Sequence, residues 1–266
     1  MVILLEYRTG VSHEQSRTGA ALRRERFDGN CATGRPKAGM AKMATISLAD
    51  VIWPQACLVV TDVQVDFLPG GALPVPEGNQ LLPVVRALME SERFGLLVAT
   101  QDWHPPDHVS FASSHPGRLA YDVVDLYGHS QVLWPDHCVQ GSSGARLHPY
   151  LPWVRCAAII RKGMDRSVDS YSTFRNNWDA SGHRASTGLV EYLRGRGVLD
   201  VFLCGLTREF CVKWSAEDAA QAGFRVWVVW DATRALDPTT DQGIATALKG
   251  LGVGIVRFAE LQAAAG

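Results

Sequence analysis

The chain has 266 residues, 47% of them hydrophobic, with 26 basic and 27 acidic side chains and a formal net charge of -1. That composition supports a full core in one large domain or two small ones, and its near-neutral balance excludes the basic footprint of a nucleic-acid or acidic-membrane binder. No apolar run reaches the roughly 20 residues of a membrane span, and six cysteines without framework spacing suit reduced thiols in a cytoplasmic protein.

The first 43 residues differ from the rest. The apolar start Met1-Val2-Ile3-Leu4-Leu5 runs at once into Glu6 and Arg8, too short for a signal-peptide core. Residues 7–42 are rich in Arg, Gly, Ser and Thr and nearly lack large apolar side chains. Such a segment cannot offset its ordering entropy, so residues 1–43 are expected to be disordered, or a spurious extension ahead of a start at Met40 or Met43. Residues 44–266 are expected to form a single domain. Apolar runs at 57–61, 96–100, 157–160, 201–204, 226–230 and 253–256 predict strands buried on both faces of a parallel sheet. Between them, patterns at 79–93, 187–195, 212–223 and 240–251 predict helices. The alternation predicts an α/β fold, three layers α/β/α around a mostly parallel six-stranded sheet.

In such sheets ligands bind outside the carboxyl ends of the strands. The first run ends at Asp62, the second at Asp102-Trp103-His104, and the third at Arg161-Lys162-Gly163; the fourth leads through a Gly-containing turn to Cys211. Cys211 is placed at the start of a helix, where backbone N–H groups favour a thiolate. A lone cysteine is more often a small buried residue, and a lone Asp62 a solvated strand-end carboxylate. Together they offer a nucleophile, a general base in Asp62 and a stabilising charge in Lys162. Asp102 and His104 are two apart and share one side of an extended segment. With His137 they form a metal-ligand set suited to Zn, Fe or Mn. His108 is a further candidate ligand, whereas Cys138 is read as core packing and His115, His129, His148 and His183 as surface residues.

These residues resemble the nicotinamidases of the isochorismatase-like cysteine hydrolase superfamily. The carriers are Asp62-Val63-Gln64-Val65-Asp66-Phe67, the Asp102-Trp103-His104 loop, Trp134-Pro135-Asp136-His137-Cys138, Lys162-Gly163, and Gly205-Leu206-Thr207-Arg208-Glu209-Phe210-Cys211-Val212. The resemblance covers roughly Leu58 to the C-terminus. It implies an isochorismatase-like fold and an amidohydrolase that converts nicotinamide, and also pyrazinamide, to the acid and ammonia through a Cys thioester, in NAD salvage. It implies a triad of Asp62, Lys162 and Cys211, an oxyanion hole from the N–H groups of Thr207 and Cys211, and a cis peptide just before Thr207. It also implies a divalent metal on Asp102, His104 and His137, zinc foremost, that holds the pyridine nitrogen. Phe67, Trp134 and Tyr171 match positions lining the ring pocket. Three positions depart from the family pattern: Thr207 where Ala is usual, Arg208 where an apolar residue or Thr is common, and Val65 where many relatives have Asn. The rival classes are a sister hydrolase acting on another small amide or a carbamoyl compound, and a non-catalytic member of the fold. A homo-oligomer is compatible with the sequence, which does not decide it.

Overall fold

The computed structural model describes residues 46–264; the expected extension at residues 1–43 lies outside them. Among these residues, eight strands and five α-helices follow in chain order. The strands are β1 (Ala56–Thr61), β2 (Leu96–Asp102), β3 (Val123–Leu126), β4 (His129–Val132), β5 (Ala158–Lys162), β6 (Asp200–Gly205), β7 (Arg225–Thr233) and β8 (Gly254–Val256). The helices are α1 (Leu82–Glu90), α2 (Leu189–Gly195), α3 (Lys213–Gln221), α4 (Asp241–Gly250) and α5 (Phe258–Ala263). Six strands form one sheet in the order β5-β2-β1-β6-β7-β8, and every pairing in it is parallel.

The period-2 alternation of side chains across a strand divides the core into two layers. Leu58, Val60, Phe202, Cys204, Trp227 and Val229 face one side and pack with α1 and α5 through Val85, Leu88, Met89 and Leu261. Cys57, Val59, Val201, Leu203, Val226 and Val228 face the other and pack with α2, α3 and α4 through Leu189, Leu193, Ala216, Ala219, Ile244 and Leu248. The predicted three-layer architecture is therefore present. Burial on both faces holds for β1, β2 and β6. It fails at the sheet edge: β5 alternates and leaves Ile159 46% exposed, because an edge strand has a neighbour on one side only. Among the described residues no helix is long and apolar enough to cross a membrane.

Sheet register places the chemistry. Asp102 and Lys162 are the last residues of β2 and β5 and lie directly opposite one another. Thr61 of β1 pairs with Gly205 of β6, so the residues leaving these two strands start side by side. Gly205 has φ +106°, and a Cβ there would overlap the Thr61 carbonyl; only glycine lets β6 turn this closely over β1. The Leu206–Thr207 peptide is cis.

Candidate active site

Four strand ends bring Asp62, Asp102, Lys162 and Cys211 together, each 5% exposed or less. Lys162 is the hub. Its Nζ lies 3.0 Å from Asp62 Oδ2, donates to the Ser170 carbonyl at 2.9 Å, pairs with Asp102 Oδ1 and reaches Cys211 Sγ at 3.5 Å. Burial alone would lower the Lys162 pKa, but Asp102 and Asp62 outweigh it and hold the ammonium well above its usual range. Asp62 follows β1 directly, with φ +48°, a region that few non-glycine residues adopt. Thr100 fixes it there: its hydroxyl donates to Asp62 Oδ1 at 2.7 Å and accepts from the Asp62 N–H at 3.2 Å. Burial pushes the Asp62 carboxyl up to about 6, with Lys162 working against the shift.

Cys211 lies in a π-helical turn, Arg208–Val212, which continues into α3, and so sits ahead of a regular helix start. The favoured thiolate expected from that position is not what its surroundings provide. Burial pushes the thiol well above its usual range; Lys162 offsets this only in part, and the Asp62 carboxylate adds to it. Ligand atoms of Asp62, Asp102 and Cys211 lie within 4.8 Å of one another. The Thr207 N–H has no hydrogen-bond partner among the described residues and borders the same cleft.

Asp102, His104 and His137 each offer a ligand atom within 4.8 Å of the others. The His104 Nδ1–H donates to the Gly163 carbonyl at 2.9 Å and the His137 Nδ1–H to the Pro135 carbonyl at 2.8 Å. Both imidazoles therefore present Nε2 as the free donor, the arrangement that backbone acceptors impose on metal ligands. One carboxylate, two imidazoles and near-complete burial fit a divalent transition metal. Gly163, with φ +63°, is required here because a Cβ would overlap the His104 ring. His108 does not join this trio. It groups with His104 and Asp169, and its ring nitrogens meet Ser110 Oγ at 2.7 Å and the Val168 carbonyl at 3.3 Å.

The remaining walls of the cleft are aromatic and apolar. Phe67, Trp134 and Tyr171 line it, together with Phe210 and Leu236, which the sequence reading missed. The Tyr171 hydroxyl accepts from Gln131 Nε2 at 2.9 Å and Trp134 Nε1 at 3.3 Å, which turns the phenol body toward the cleft. Two further supports lie inside the quoted Asp62–Phe67 motif. The Gln64 side chain donates to the Asp102 carbonyl and accepts from its N–H, both at 2.8 Å. Asp66 accepts the Cys138 N–H at 2.7 Å and so fixes the residue after His137. Their positions 62, 64 and 66 share one alternation, the only sequence signal that could have found them.

The cleft is thus lined by aromatic rings, by Cys211 and by the Asp102, His104 and His137 trio, with Lys162 and Asp62 buried behind Cys211 and Asp102. In comparison with known proteins, the Isochorismatase domain matches residues 56–260. A protein of Acinetobacter baylyi named nicotinamidase is 46% identical over 180 residues, covering 68% of this chain and 81% of its own. A crystal structure of PnC1 from L. infantum in complex with nicotinate is 40% identical with TM-score 0.68, covering 79% of this chain and 96% of that one. A pyrazinamidase of Pyrococcus horikoshii in complex with zinc is 36% identical with TM-score 0.62, covering 77% and 99%. The chain belongs to the isochorismatase domain family.

Proposed function

We propose that the protein is an amidohydrolase that converts nicotinamide to nicotinate and ammonia through a thioester on Cys211, with pyrazinamide as a second substrate, serving NAD salvage. The observation that carries this reading is the single ammonium of Lys162 reaching Asp62, Cys211 and the metal-ligand candidate Asp102 at once. The names of the relatives support the choice of substrate.

Asp62 accepts the Cys211 proton as sulfur attacks the amide carbon. The C–S bond forms and the carbonyl electrons move to oxygen, where the N–H groups of Thr207 and Cys211 receive the charge. One such donor is worth on the order of a hundredfold or more in rate. Asp62 then returns the proton to the departing nitrogen, the C–N bond breaks, and ammonia leaves. Water adds to the thioester with Asp62 again taking a proton; the C–S bond breaks, Asp62 returns that proton to sulfur to restore the thiol, and the acid leaves as nicotinate with its proton passing to solvent. Lys162 stays protonated throughout and balances whichever of Asp62 and Cys211 carries the negative charge. Phe67, Trp134 and Tyr171 pack around the ring and keep bulk water from it. Asp102, His104 and His137 would hold a divalent metal, zinc foremost with iron and manganese as alternatives, which when bound supplies a Lewis acid for the ring nitrogen.

The test is ammonia release by the purified protein from nicotinamide, pyrazinamide and a carbamoyl compound, with and without a chelator. Release from the first two, lost on chelation and restored by zinc, is expected. Release from the carbamoyl compound alone would favour a sister hydrolase, and release from none a non-catalytic member. The pH profile follows from Asp62. It accepts a proton only when ionised, and its pKa is pushed up to about 6. Below about pH 6, kcat/KM is therefore expected to fall about tenfold per pH unit and to level off above it. A flat profile through that range would remove Asp62 as the base.

A further inference from the structure

Arg208 is the most heavily engaged side chain of the nucleophile turn, and the mechanism above gives it no role. It is 5% exposed. Its Nε donates to Thr233 Oγ1 at 2.8 Å, and its Nη2 donates to the carbonyls of Trp230 at 3.0 Å and Thr233 at 2.8 Å. Its Nη1 pairs with Asp241 Oδ2 at the start of α4, and the guanidinium lies over the Trp230 ring, 4.0 Å from its centroid. The Arg208 main-chain N–H donates to the Arg234 carbonyl at 2.8 Å. The next residue, Glu209, accepts the Asp237 N–H at 2.9 Å.

Two consecutive residues of opposite charge thus tie the turn to one segment, running from the end of β7 to the start of α4. That segment also supplies Leu236 to the cleft wall. A buried guanidinium is costly unless its donors are filled, and here the fixed planar fork is filled by groups that all lie on the segment it faces. Lysine has no such fork. The turn held in this way carries Thr207 at one end and Cys211 one helical turn later.

We propose that Arg208 is a positioning residue: anchored on Asp241, it holds the π-helical turn Arg208–Val212 so that Cys211 Sγ and the N–H groups around it meet Lys162 and Asp62. The inference rests on the amidohydrolase reading above. A displacement of about 1 Å in such an arrangement costs on the order of a hundredfold in rate.

The test uses Arg208→Met, Arg208→Lys and Asp241→Asn in the full chain. The readouts are nicotinamide kinetics, binding of pyridine-3-carbaldehyde and of nicotinate, and thermal unfolding. The aldehyde is chosen because a thiol adds to its carbonyl, so its binding reads the position of Cys211 Sγ, whereas nicotinate, a carboxylate, forms no such adduct. Arg208→Met is expected to lower kcat by about 30- to 100-fold with KM within about threefold, and to weaken the aldehyde by a similar factor while nicotinate binding is unchanged. Arg208→Lys should not rescue it. Asp241→Asn should show the same pattern in smaller measure, and the double variant should be no worse than Arg208→Met. Unchanged kcat in folded Arg208→Met, or equal weakening of aldehyde and nicotinate, overturns the proposal. If Arg208→Met does not fold, Asp241→Asn decides alone: loss of kcat and aldehyde binding with nicotinate retained supports the clamp, and no change overturns it. A wild type that neither releases ammonia nor binds the aldehyde overturns the amidohydrolase reading itself. An active wild type with unaffected variants overturns only the clamp.

Discussion

Replacing Cys211 by Ala is expected to lower nicotinamide turnover at least about ten-thousandfold, since what remains is a cleft with a base and donors but no atom to form the acyl intermediate. Cys211→Ser should be nearly as inactive. A hydroxyl is far more basic as its anion than a thiol, and the base, Asp62, is a carboxylate pushed up only to about 6. Both variants are expected to fold, because Ala and Ser are no larger than Cys and leave the Lys162 contacts with Asp62 and Asp102 in place. Binding of nicotinate to Cys211→Ala should therefore persist. Steady-state ammonia release with a parallel binding measurement checks this. Substantial turnover by Cys211→Ala would remove the nucleophile.

The second large effect is expected from Lys162→Met. It is among the largest fully buried side chains of the protein, and it lies between the carboxylates of Asp62 and Asp102. Removing one partner of a buried ion pair costs about 3–5 kcal/mol, because the charge left behind keeps its desolvation penalty. In a domain of 150–250 residues each kcal/mol moves Tm by about 2–4 °C, so a fall of roughly 6–20 °C is expected. The catalytic loss has a separate cause. Lys162 is the main influence holding the Asp62 carboxyl down against burial. Without it that carboxyl rises further, stays protonated at neutral pH and cannot accept the thiol proton. The acid limb of the profile should move to higher pH, and kcat at neutral pH should fall on the order of a thousandfold. A variant with unchanged Tm and an unmoved limb would contradict the hub role.

Much of this arrangement is legible in the sequence for a definite reason. Central strands of a parallel sheet are buried on both faces, so β1, β2 and β6 appear as unbroken apolar runs, and the polar residue that ends each run marks the carboxyl edge. Asp62 and Asp102 follow on that basis; Lys162 ends the shorter apolar run of the edge strand β5, and Cys211 follows β6 only after the turn at Gly205. The β3–β4 hairpin has no such signal: its strands are half-exposed, and its contribution to the cleft is the single side chain of Gln131 holding Tyr171. The short terminal helix α5 has little periodicity to offer over six residues. The supports of the site are hidden for another reason. Thr100 to Asp62 spans 38 residues, Gln64 to Ala145 spans 81, and Arg208 to Asp241 spans 33; such contacts exist only once the topology is set. The resting state of Cys211 is hidden in the same way. Position at a helix start argues for a thiolate, whereas burial and the Asp62 and Asp102 carboxylates push the thiol pKa up, with Lys162 opposing them.

The most direct measurement is the mass of the intact protein quenched in acid during turnover of nicotinamide, followed by mapping of the modified peptide. A single nicotinoyl group on the peptide that contains Cys211, absent from Cys211→Ala and lost on standing with release of nicotinate, is the predicted result. Turnover with the acyl group on another residue, or turnover that survives Cys211→Ala, would contradict it.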